Sequence, residues 1–329
     1  SMMYNTGNIR ELGRVDHQNT LLDTYELERD RGITIFSKQA ILKMEDTELT
    51  LLDTPGHVDF SSEMERTLQV LDYAILVISA RDGVQGHTET LWKLLEKHQI
   101  PTFIFVNKMD MPDIDKKLLL KDLRKRLSDS CIDFSVNQNS NKFKENIAIC
   151  DEHLFDEYIE TGIVKRESIT KRISKRKVFP SYFGSALKLE GIDEFINGIE
   201  TFSMEPSYSD DFGAKIYKIA RDESGNRLTF MKITGGKLKV KMSLSEEKVD
   251  QIRIYSGSKY ETADEAKVGT VCAVMGLTKT FPGQGLGIET SYNKPILEPV
   301  LNYKIILPTD CNVHEMLTNL YQFNEEDPQ

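Results

Sequence analysis

Hydrophobic positions follow two regimes along the chain. Up to about residue 200, short apolar runs alternate with longer amphipathic stretches, the pattern of βαβ units on a mainly parallel sheet. Leu49-Thr50-Leu51-Leu52 reads as a short buried strand ending at Asp53, and residues 73–80 (YAILVISA) and 102–106 (TFIFV) read as two more. Between these last two, Leu91, Trp92, Leu94 and Leu95 fall at helical spacing in residues 88–97. A fourth strand, around residues 178–183, runs into Gly184-Ser185-Ala186. Residues 111–177 are rich in Lys, Asp and Glu and read as a helical insertion between two sheet strands.

After a linker at residues 204–211 (MEPSYSDD) the period changes to two. Ala214-Lys-Ile-Tyr-Lys-Ile and Leu228-Thr-Phe-Met-Lys-Ile alternate, with Gly225-Asn226 and Gly235-Gly236 as turn signals. Evenly spaced turns predict a small antiparallel β-barrel through about residue 298. From Val300 a strand-like VLNYKII precedes a helix opened by Asn312-x-x-Glu315, a capping-box pattern. The expected organisation is therefore an α/β domain over 1–203, a barrel over 212–298, and the start of an α+β third domain over 300–329.

Composition changes this picture little. With 39% apolar and 29% charged residues the chain can bury ordinary cores. No apolar run reaches the length of about eighteen residues that spans a membrane, and Ser1-Met2-Met3-Tyr4 lacks the regions of a signal peptide. The four cysteines, at 131, 150, 272 and 311, form no CxxC pair, which fits a reduced cytoplasmic protein and argues against zinc. A net charge of −10 argues against a protein that coats DNA or other nucleic acid without specificity. A monomer is expected.

Four motifs carry candidate chemistry. Asp53-Thr54-Pro55-Gly56-His57 follows a buried strand, where a terminal carboxylate can hold Asp53 near Mg²⁺, a hard ion that keeps several waters. Gly56 lets a backbone N–H approach a phosphate without a side chain in the way. Asn107-Lys108-Met109-Asp110 follows the next buried strand but one, 54 residues after Asp53. The Asp110 carboxylate can accept both hydrogens from guanine N1 and N2, a pattern adenine lacks. The Asn107 amide can meet the other edge, and the Lys108 stem can lie over the base. Ser185, Ala186 and Leu187 follow a further strand, where small residues allow backbone N–H contact with a base carbonyl. Upstream, Arg31-Gly32-Ile33-Thr34-Ile35 offers a hydroxyl at Thr34 to magnesium. Each motif alone also suits an ordinary loop; their order and spacing together do not.

The set DRGITI, DTPGHVDF, NKMD and GSAL resembles the translational GTPases, whose G domain is followed by a barrel, and the resemblance covers essentially the whole chain. It implies a P-loop-type GTPase fold, bound GTP or GDP with Mg²⁺, and the ribosome as partner. By position it implies that Thr34 ligates the metal and senses the γ-phosphate, that Asp53 holds the metal through water, and that Gly56 contacts the γ-phosphate. His57 would orient the attacking water once the ribosome has placed it, in keeping with a reaction governed by positioning and charge stabilisation. His87, His98, His153 and His314 have no such context and read as surface or packing residues.

One feature of the family is missing from the sequence. No glycine-rich loop with GKT or GKS occurs, and Tyr4-Asn5-Thr6-Gly7 resembles the stretch after the family's first helix. The chain is therefore expected to be a piece of a longer GTPase.

The long segment between NKMD and GSAL resembles the elongation factor G branch. Within it, YNTGNIRELGRVD, NKMDMPDID and the short insertion ending in YFGSA resemble the tetracycline-resistance ribosomal protection proteins. Elongation factor G itself and release-factor GTPases stay open within the class. So does a non-hydrolysing ribosome-binding module with a vestigial nucleotide site. The basic run at residues 171–177 reads as a solvated face, with ribosomal RNA phosphates as the other reading, and residues 281–285 (FPGQG) as a barrel loop without chemistry.

Overall fold

The structure is a computed structural model that describes residues 1–7, 28, 34, 37–44, 47–57, 61–244, 246–289, 304–308 and 311–326. Two compact units divide the chain. The first comprises Ser1–Leu12, Lys43–Thr47 and Leu71–Pro206; the second comprises Gly13–Leu42, Glu48–Val70 and Ser207–Gln329.

The early chain supplies a two-stranded sheet, β1 (Lys38–Lys43) and β2 (Glu48–Asp53), and the helix α1 (Ser61–Leu68). In the first unit follow β3 (Ala74–Ser79), α2 (Gly86–Lys97), β4 (Thr102–Asn107), α3 (Lys116–Arg126) and β5 (Cys131–Asp133). Then come α4 (Asn141–Ala148), α5 (Glu152–Thr161), α6 (Arg166–Ser174), β6 (Phe179–Phe183) and α7 (Ile192–Phe202). The four strands form one parallel sheet in the order β3-β4-β6-β5, flanked by the helices. From Thr102 to Val106, β4 is buried at every position, and so is the whole of β6, as strands covered on both faces must be.

Local chemistry starts the helices. The Asp115 carboxylate accepts from Lys117 N–H at 2.7 Å, Ser140 Oγ from Phe143 N–H at 3.3 Å, and the Asp151 carboxylate from His153 N–H at 3.1 Å. Arg124, Lys125 and Arg126 in the last turn of α3 face the negative end of its dipole. On α7, Ile192, Phe195, Ile196, Ile199 and Phe202 recur at i, i+3, i+4, i+7 and i+10 and are all buried. Each such side chain contributes about 1.5–3 kcal/mol of apolar burial. Gly198 lies on the same helix because nothing larger fits: a Cβ there would sit 1.9 Å from the Tyr182 hydroxyl.

The 111–177 stretch is mostly helical, as its composition suggests, but it also yields β5, which extends the sheet through parallel pairing with β6. Three residues are too few to show a period, so only their burial reveals the strand. The basic run is not simply a solvated face. Arg172 pairs with Asp151 at 2.8 Å. Arg176 donates to the Ile100 carbonyl and Thr102 Oγ1 and lies 4.9 Å from the Trp92 ring centroid. Lys171, Lys175 and Lys177 stay exposed.

The second unit continues with β7 (Gly213–Arg221), β8 (Arg227–Gly235), β9 (Gln251–Ser256), β10 (Lys259–Ala263), β11 (Val271–Met275) and β12 (Gly285–Gly287). These pair antiparallel in the order β10-β9-β11-β8-β7-β12. Ala214, Ile216, Ile219, Met231, Ile233, Ile252, Cys272 and Val274 belong to one buried cluster inside. In the β7–β8 turn, the Asp222 carboxylate accepts from Ser224 and Asn226 N–H at 3.0 and 2.9 Å. Residues 281–285 form a turn leading into β12, with Gly283 N–H bonded to the Ile216 carbonyl at 2.7 Å.

Of the strand expected from Val300, residues 304–308 pair with no strand among the described residues, and 300–303 lie outside them. The helix after it is present as α8 (Val313–Glu326), capped by the Asn312 side chain, which accepts from His314 N–H at 3.1 Å.

Candidate functional site

Register decides what gathers at the carboxyl end of the parallel sheet. Ser79 aligns with Asn107 and Val106 with Phe183, so the loops after β4 and β6 emerge side by side. This edge is where open α/β sheets place ligands.

The two loops are stitched together. Asn107 Oδ1 accepts from the N–H of Lys108 at 2.8 Å and of Ala186 at 2.9 Å, and Met109 N–H donates to the Gly184 carbonyl at 3.1 Å. With its oxygen occupied, Asn107 keeps its amide NH₂ for a ligand. Lys108 takes the left-handed conformation, φ 66°, which turns the chain sharply after the strand. Beside it, the Ser185 hydroxyl and then Lys188, whose Nζ lies 3.9 Å from Asp110, hold the Asp110 carboxyl below its usual range, so it is a fixed acceptor at neutral pH. Gly184 must be glycine, because a Cβ would lie 2.1 Å from the Glu190 carbonyl oxygen. Reciprocal backbone bonds of 2.9 and 3.0 Å between Ser185 and Glu190 close the loop, leaving Leu187 exposed at 54%. Asn107, Lys108, Asp110, Ser185, Ala186 and Leu187 thus share one edge. Sequence reading missed Lys188 and the Ser185–Glu190 closure, for which nothing in the string GSALKLEG is a signal.

The other candidate residues lie in the second unit. Asp53 ends β2 and is half-buried, as is Thr34; Gly56 and His57 are exposed after the buried Pro55. A Cβ at Gly56 would meet nothing within 4 Å, so open space surrounds the backbone where a phosphate oxygen is expected. Arg31, Gly32, Ile33 and Ile35 lie outside the described residues. A carboxylate and a hydroxyl are hard oxygen donors, which suits Mg²⁺ with water and phosphate completing its shell. Among the described residues no group of three or more His, Cys, Asp and Glu could hold a metal by itself.

The second unit also holds a charged cluster that sequence reading missed. Glu63 on α1 is 9% exposed, Arg66 2%, and Lys218 on β7 9%. Glu63 Oε1 stands 3.3 Å from Lys218 Nζ, and its Oε2 3.3 Å from Arg66. Burial pushes the Glu63 carboxyl up, but Lys218, Arg66 and the Ser37 N–H together hold it below its ordinary value.

The model of the elongation factor Tu GTP-binding domain matches residues 1–205. The chain belongs to this family. Among curated relatives, the tetracycline resistance protein TetS of Listeria monocytogenes is 30% identical over 363 residues, covering 100% of this chain and 55% of its own. The transposon Tn1545 protein TetM of Enterococcus faecalis is 31% identical, covering 100% and 55%. The oxytetracycline resistance protein of Streptomyces rimosus is 30% identical, covering 87% and 49%. The chain thus spans about half the length of the curated relatives it matches. A crystal structure from Thermus thermophilus covers 99% of the chain and 58% of its own with a TM-score of 0.81; at 22% identity it shows the fold. This GTP-binding family member therefore joins a G-domain sheet flanked by helices to an antiparallel β-sheet domain. No described helix is long and apolar enough to cross a membrane.

Proposed function

We propose that this chain carries the nucleotide and barrel domains of a ribosome-dependent GTPase that, as a whole protein, releases tetracycline from the ribosome. The observation that carries the nucleotide reading is the stitched edge at β4 and β6. Asn107 is held by Ala186, Asp110 is fixed beside Ser185, and both reach the rim where a base can lie. Asp110 would take guanine N1 and N2 hydrogens, Asn107 the opposite edge, and Lys108 the ring face, with O6 met by the Leu187 N–H, since those of Ser185 and Ala186 are bonded to Glu190 and Asn107.

On the phosphate side, Thr34 and Asp53 would hold Mg²⁺, which supplies charge neutralisation across the phosphates when bound. Gly56 would offer its N–H to the γ-phosphate. His57, exposed beside it, would orient a water, and hydrolysis would quicken when the ribosome orders Thr34 and His57, an order–disorder switch. The drug-resistance role is supported by the names of relatives matched over the full chain.

The test uses the full-length protein with purified ribosomes. Restored protein synthesis in the presence of tetracycline and GTP, abolished by a non-hydrolysable GTP analogue, is the expected result. Ribosome-stimulated hydrolysis without rescue would move the protein to an elongation-factor-like role, and binding without hydrolysis to a ribosome-binding module.

A further inference from the structure

We infer that Lys218 is a positioning residue for phosphate-side hydrolysis, acting through Ser37 and Glu63 on the two segments that carry Thr34 and His57. The inference rests on the GTPase reading above. Lys218 sits at a β-bulge. Ile216 pairs with Met231 and Lys218 with Phe230, so Tyr217 is the extra residue and strand alternation breaks. Tyr217 and Lys218 are consequently both buried, Tyr217 beside Val70 and Val271 in a small apolar cluster and Lys218 against Glu63.

From there the lysine reaches two stretches of chain and braces a contact that they also make with each other. Its Nζ donates to the Ser37 carbonyl at 2.9 Å and stands 3.3 Å from Glu63 Oε1. Ser37 is held at its other polar groups too. Its N–H donates to Glu63 Oε1 at 3.1 Å, and its hydroxyl shares a 2.8 Å bond with Thr67 Oγ1. Ser37 stands three residues after Thr34, and Glu63 six after His57. One barrel cation therefore fixes the base of both segments, and a shift of β7 would be felt by both.

An ion pair serving stability alone gains little over an apolar pair of the same volume. A cation bonded at once to a backbone carbonyl of one segment and a carboxylate of another specifies geometry, and a misplacement of about 1 Å can cost as much as a hundredfold in rate.

In the full-length protein, Lys218→Met is expected to lower ribosome-stimulated kcat about tenfold while KM for GTP changes less than about twofold. Lys218→Arg should recover most of that loss. Lys215→Met, on the same strand and paired with Glu289 at 3.7 Å, should behave as wild type. Amide hydrogen exchange supplies a readout apart from turnover: Lys218→Met should lose protection at Ser37 and along Ser61–Leu68 while β8 and β11 keep theirs. Parallel losses in kcat, GTP affinity and thermal stability, or unchanged exchange at Ser37, would overturn the proposal. Absence of hydrolysis by the wild type would end the functional reading, and exchange at Ser37 would still decide for or against the clamp.

Discussion

The edge proposed to read the base and the segments proposed to face the phosphates reach their order by different means. At the carboxyl end of β4 and β6, a parallel ladder sets the register, and hydrogen bonds between adjacent loops do the rest. Every partner of Asn107 Oδ1 lies in those loops, and Asp110 is held by Ser185 and Lys188 close by. In the second unit, Asp53 and His57 stand at or just past the end of a strand in a two-stranded sheet, and the next helix carries Glu63 and Arg66 of a buried cluster whose lysine comes from 155 residues further on. A site fixed by its own sheet should hold its geometry whatever the barrel does. A segment anchored on a distant strand can respond to it.

That contrast is sharpest in turnover against affinity. His57→Ala in the full-length protein is expected to lower ribosome-stimulated hydrolysis about a thousandfold, with GTP affinity nearly unchanged. Stopped-flow binding and single-turnover hydrolysis would separate the two, and equal losses would make His57 a structural residue. Asp110→Asn should do the reverse, weakening GTP about a hundredfold and relaxing discrimination against other purine nucleotides; undiminished GTP-over-ATP preference in competition binding would remove Asp110 from the base site.

Glu63→Leu leaves Lys218 and Arg66 buried without their carboxylate and should destabilise the second unit by about 3 kcal/mol, read from denaturant melts. A pH series sharpens it. A folded pKa below the unfolded one means that the Glu63 contribution is complete above the ordinary carboxylate range and fades as pH falls through the depressed value. Wild type should therefore lose stability below about pH 4 more steeply than Glu63→Leu. Coincident acid profiles would show the cluster to be energetically silent.

The smallest effect concerns the first unit. Gly198→Ala, which in an exposed helix would gain about 1 kcal/mol, should here cost about 1–2 kcal/mol because the new methyl meets the Tyr182 ring. Tyr182 Oη has no hydrogen-bond partner among the described residues, so Tyr182→Phe should be neutral or stabilising, yet it should not rescue Gly198→Ala in a double variant, because the ring Cζ that Phe keeps would still stand 2.4 Å from the new methyl. Calorimetric melting of the four proteins decides.

Much of this was readable from the chain. β2, β3, β4 and β6 coincide with apolar runs, and α2 with the spacing of Trp92, Leu94 and Leu95: strands covered on both faces, as β4 and β6 are, leave unbroken apolar runs, and a helix buried on one face leaves a period. Asn107 and Asp110 were legible because a strand end and a turn fix them within four residues. β5 was not, since three residues carry no period. Lys218 was not either: as sequence it is one more charge in an alternating strand, and only the bulge at Tyr217 turns it inward. Arg172 and Arg176 misled for the same reason, as composition cannot tell a solvated cation from one laid over Trp92.

The reciprocal Ser185–Glu190 bonds have a consequence for how such a protein can diversify. Because backbone atoms make the closure, and Gly184 and Gly191 shape its two ends, the side chains of residues 186–189 do not hold the loop shut, and of these only Lys188, beside Asp110, and Leu189, at φ 61°, are tied to a role or a conformation. Related sequences could vary at the other two, or an engineer could graft a different pair, and retune contacts at the rim while the sheet beneath folds as before.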